Sequence, residues 1–130
     1  MKIIFTFFTI TLLFFSCDKK NDCNQYIACT EEFVSVSIEL IDSAGNPYSL
    51  DSYKTIKKSS NEVVKINDDF SNDKYYPILN DSHKKETTVD GEIFVFEGLK
   101  NNMVVVSEEY IISADCCHIN LVSGEIKIVL

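Results

Sequence analysis

The chain has 130 residues, with 12 lysines, no arginine and 20 aspartates and glutamates, for a net charge of −8 at pH 7. Such an acidic surface repels nucleic acid and bare anionic lipid, and the lack of arginine removes the usual bidentate fork for phosphate. The length suits one domain with a single core and is short for two.

The first element is an apolar run. Met1 and Lys2 form a short basic head, and Ile3 to Phe15 is apolar apart from Thr6, Thr9 and Thr11. As a helix this run spans about 20 Å, short of the roughly 30 Å hydrocarbon core of a bilayer. A basic head, a short apolar stretch and a small residue at the cut describe a secretory signal over residues 1–16. "LFFSC", Leu13 to Cys17, resembles the lipobox of bacterial lipoproteins. That resemblance implies cleavage after Ser16 and acylation of Cys17 as the membrane anchor. The charged stretch that follows (Asp18, Lys19, Lys20 and Asp22) is similar to the tether of Bacteroidota outer-membrane lipoproteins. The expected address is the bacterial envelope, at the outer membrane, on its periplasmic or its surface side. Residues 17–32 then form a cysteine-bearing tether and residues 33–130 the folded domain.

The remainder reads as strands. In "FVSVSIELI", Val34, Val36, Ile38 and Leu40 alternate with Ser35, Ser37 and Glu39, the period-two pattern of a half-buried strand. Gly45 and Pro47 in "DSAGNP" end it with a turn. Tyr53–Lys57 and Glu62–Ile66 flank "KSSN" as a hairpin. Pro77 in "KYYPIL" marks an edge strand or a strand end, because proline cannot donate to a ladder. "NDSHKKETTVDG" is a long polar connection. "EIFVFEGL" places Phe94 and Phe96 on one face, "KNN" turns the chain into "MVVVS", and "EYIIS" and "EIKIVL" complete the set. About seven short strands with regular turns predict a single antiparallel β-sandwich of immunoglobulin-like or transthyretin-like type. "DSAGNP", "GEIFVFEGL", "MVVV" and "IKIVL" resemble the carboxypeptidase-regulatory, transthyretin-like sandwich domains of Bacteroidota surface proteins. The resemblance implies an accessory or interaction module without a catalytic centre.

Besides Cys17, the chain has Cys23, Cys29, Cys116 and Cys117, an even number that favours disulfides in an exported protein. Pairing Cys23 with Cys29 leaves Cys116 and Cys117 to form a strained vicinal ring. In extended chain, Cys116 and Cys117 point to opposite sides, so each can take a different cysteine of the 23–29 segment. Two bridges between these segments are expected, in either register.

Two other chemistries compete. Cys116, Cys117 and His118 with two further cysteines contain zinc-ligand types, though Cys23 and Cys29 are spaced more widely than the usual pair. Asp68, Asp69, Asn72 and Asp73 form an oxygen-rich loop with calcium-ligand chemistry but without EF-hand spacing. A hydrolytic triad has only His83 or His118 to use, and no G-x-S-x-G, H-E-x-x-H or phosphate-binding glycine loop occurs. The expectation is therefore a non-catalytic binding or structural module with no cofactor. It meets the membrane through its lipid and an envelope protein or glycan as partner. The alternative is metal-dependent or hydrolytic activity at loop 67–73 or at the Cys-Cys-His cluster 116–118.

Overall fold

The computed structural model describes Cys23, residues 27–66 and residues 74–130. The signal run 1–16, Cys17 and the calcium candidates Asp68, Asp69 and Asp73 lie outside the described residues. Eight described strands run in the order β1 (Ser35–Ile41), β2 (Ser52–Lys57), β3 (Glu62–Val64), β4 (Tyr75–Asn80), β5 (Glu92–Lys100), β6 (Met103–Ala114), β7 (Ile119–Ser123) and β8 (Lys127–Val129). They form a three-stranded sheet, β4-β1-β8, and a five-stranded sheet, β3-β2-β5-β6-β7. The fold is the expected β-sandwich.

One pairing departs from an all-antiparallel sandwich: β8 runs parallel to β1, matching Glu39 with Lys127 and Ile41 with Val129. Parallel neighbours need a long crossover, and here the whole five-stranded sheet lies between them in sequence. The expected strands "MVVVS" and "EYIIS" are one continuous strand, β6, and β7 was not foreseen. The polar connection after β4 contains a 3₁₀ segment, Asp81–Glu86. Pro77 lies where its chemistry requires, on edge strand β4, beside a bulge at which Ile78 is the extra residue between the pairings of Val36 with Leu79 and Ser37 with Pro77.

The turns follow from their residues. Asp42 Oδ1 accepts from the N–H groups of Ala44 and Asn46 at 2.9 and 2.8 Å, and Gly45 takes a φ of +85° between them. Asn101 and Asn102 both have positive φ, 51° and 61°, in the two-residue connection from β5 to β6. That is the twist-matched hairpin turn, and asparagine tolerates it.

The core lies between the sheets. β1 contributes Val36, Ile38 and Leu40, and the facing sheet contributes Phe94, Phe96, Tyr110 and Ile112. Tyr76 belongs to this core, donating its hydroxyl to the Tyr48 carbonyl at 3.2 Å and accepting from Leu50 N–H at 2.9 Å. Tyr53 stacks on Phe96 with ring centroids 5.6 Å apart. Tyr53 and Tyr76 thus fill the interior, whereas Tyr75 is exposed.

Candidate functional site

The densest polar constellation forms where the N-terminal segment meets the turn between β6 and β7. Cys23 is bonded to Cys116 and Cys29 to Cys117, with a Cα–Cα distance of 5.3 Å in each bridge. The pairing is the expected one between segments, and the register is now fixed. All four sulfurs are consumed, so the thiolate donors that zinc would take at 116–118 do not exist in this state. Among the described residues, no group of three His, Cys, Asp or Glu side chains is placed to hold a metal ion.

Asp115 shapes the turn. Its Oδ1 accepts from the N–H groups of Cys117 and His118 at 2.7 and 2.8 Å, and its own N–H bonds the His118 carbonyl. These bonds hold its carboxyl below the ordinary aspartate range. Lys84, in the 3₁₀ segment, donates to the carbonyls of Cys116 and Cys117 at 3.0 and 3.1 Å.

Asp81 opens the same 3₁₀ segment and faces three donors. Its carboxylate accepts from Val34 N–H at 2.8 Å and Ile119 N–H at 2.9 Å, and meets His118 Nδ1 at 2.8 Å. Burial pushes its pKa up, but the hydrogen bonds from His118, Val34 and Ile119 outweigh that and hold it below the ordinary range. The other face of the imidazole, Nε2, lies 2.9 Å from Thr30 Oγ1. Thr30 follows Cys29 and His118 follows Cys117, so one disulfide brings the two together. The side chains of His118 and Asp81 keep 20% and 12% of their exposure, whereas Thr30 is exposed.

Of the residues singled out from sequence, Cys23, Cys29, Cys116, Cys117 and His118 converge at this corner. His83 does not: its Nδ1 lies 2.8 Å from Asn80 Oδ1 and its Nε2 2.9 Å from the Lys65 carbonyl, beside β3. Thr30 and Asp81 were not anticipated. The only sequence signal for Thr30 was its position next to Cys29, and that signal needs the disulfide register before it points to His118. An open groove of about 420 Å³ runs beside β3 between Lys57, Glu62, Lys65, His83 and Glu86, and its lining is ordinary surface chemistry. No described helix is long and apolar enough to cross a membrane. Comparison with protein-family models, curated proteins and solved structures returns no match for this chain.

Proposed function

We propose that this is an envelope lipoprotein, anchored through acylated Cys17, whose sandwich serves as a binding or structural module held close to the bilayer. The observation that carries the reading is the stapling of Cys23 and Cys29 to Cys116 and Cys117. Only the stretch from Cys17 to Cys23 separates the lipid from the first crosslink, and that stretch reaches about 20 Å when extended. In this reading the disulfide corner is the part of the sandwich held nearest the bilayer, within about 20 Å of the lipid anchor. Two covalent links at the tether also suit an oxidising compartment. The acidic surface supports a protein or glycan partner over nucleic acid or bare anionic lipid, and the transthyretin-like resemblance supports an accessory role.

The test is the intact mass of protein extracted from membranes, alkylated without reduction. The expected species starts at Cys17, carries acyl mass and takes no alkyl group. A chain beginning elsewhere and lacking acyl mass would overturn the anchor, and alkylated cysteines would overturn the staples.

A further inference from the structure

The contact between Thr30 and His118 has a chemistry beyond fastening the tether. The Asp81 carboxylate can only accept, so the Nδ1 facing it at 2.8 Å carries a proton. In the neutral imidazole this leaves Nε2 as an acceptor, and the Thr30 hydroxyl, 2.9 Å away, is the donor to it. The three groups are graded in exposure as their roles require. A covered carboxylate fixes the tautomer, a partly covered imidazole acts as base, and a solvent-facing hydroxyl gives up its proton. The frame is stiff: Asp81 is held by the N–H groups of Val34 and Ile119, His118 by Asp115, and Thr30 by the adjoining Cys29–Cys117 bridge.

We propose that Thr30 is an activated nucleophile that accepts acyl groups from small activated esters. Thr30 Oγ1 attacks the ester carbonyl carbon as its proton passes to His118 Nε2. The bond from that carbon to the leaving oxygen breaks, and His118 returns the proton to the departing alcohol. Water, deprotonated by the same nitrogen, then cleaves acyl-Thr30 to the free acid and restores the hydroxyl. Asp81 is a positioning residue and Thr30 and His118 are the reacting groups. The hindered ester of a secondary hydroxyl hydrolyses more slowly than it forms from an activated ester, so the acylated protein accumulates. The inference does not depend on the lipid at Cys17 and stands or falls separately from the anchor.

The experiment incubates the oxidised full chain with p-nitrophenyl acetate, following p-nitrophenolate release and mapping the acetyl group by peptide mass. The expected result is one acetyl on Thr30. Labelling is abolished in Thr30→Val, retained in Thr30→Ser, and slowed about a hundredfold in His118→Gln, the usual contribution of a positioned base. Acetyl found on lysines alone, or Thr30 labelled as fast in His118→Gln as in wild type, would overturn the proposal. Should His118→Gln fail to fold, the Thr30→Val and Thr30→Ser variants decide the matter.

Discussion

Two buried threonine hydroxyls meet opposite fates. Thr87 Oγ1 donates to the Ile112 carbonyl, whereas Thr55 Oγ1, 1% exposed on β2, has no partner among the described residues. A buried hydroxyl without a hydrogen bond costs free energy that an apolar isostere does not. Thr55→Val is therefore expected to stabilise the fold by about 1 kcal/mol, raising the urea midpoint with no change in slope. Asp81 carries the opposite sign. Its folded pKa lies below the unfolded value, so its stabilisation is present in full above the ordinary carboxylate pKa and is lost as pH falls through the folded one. Asp81→Asn is expected to cost about 2 kcal/mol at neutral pH, with the gap to wild type closing below about pH 4 in urea melts. None of this was legible in the sequence. Thr30 and His118 stand 88 positions apart and Asp81 and His118 stand 37 apart, and no local pattern marks a contact of that range.

Period-two alternation revealed β1 and β5 because their inward positions are uninterrupted: Val36, Ile38 and Leu40 in one, Phe94 and Phe96 in the other. It broke β6 in two because of one residue. Val106, Glu108, Tyr110, Ile112 and Ala114 share a face, and half-buried Glu108 interrupts an otherwise apolar row. β7 was missed because it buries only Ile119. The Asn101–Asn102 turn and the Pro77 edge were readable because each depends on backbone chemistry local to its residue. Where β7 ends, Gly124 has a φ of +132°, and a Cβ there would run into the Tyr110 ring. That ring cannot yield easily, since Tyr110 is fully buried and its hydroxyl donates to the Glu125 carbonyl at 2.7 Å. Gly124→Ala combines backbone strain with overpacking and is expected to cost about 2–4 kcal/mol by urea denaturation.

The sandwich is a closed covalent circuit as well as a packed one. The bridges span sequence separations of 93 and 88, and β8 returns to lie beside β1. In the chain-entropy model a loop of this length contributes roughly 4–5 kcal/mol, and a second bridge between the same segments adds far less. Replacing all four cysteines by serine is expected to cost roughly that full amount, whereas replacing Cys23 with Cys116, or Cys29 with Cys117, costs a small part of it. Urea melts of the three variants check this. The same circuit has a consequence in time. Synthesis delivers Cys23 and Cys29 long before Cys116 and Cys117, and during that interval their native partners do not yet exist. An oxidant acting at once on the emerging chain closes the small wrong ring first, and the native pairs are then reached only through thiol exchange. Yield of the correctly bonded protein should therefore follow the supply of a disulfide isomerase more closely than the supply of oxidant.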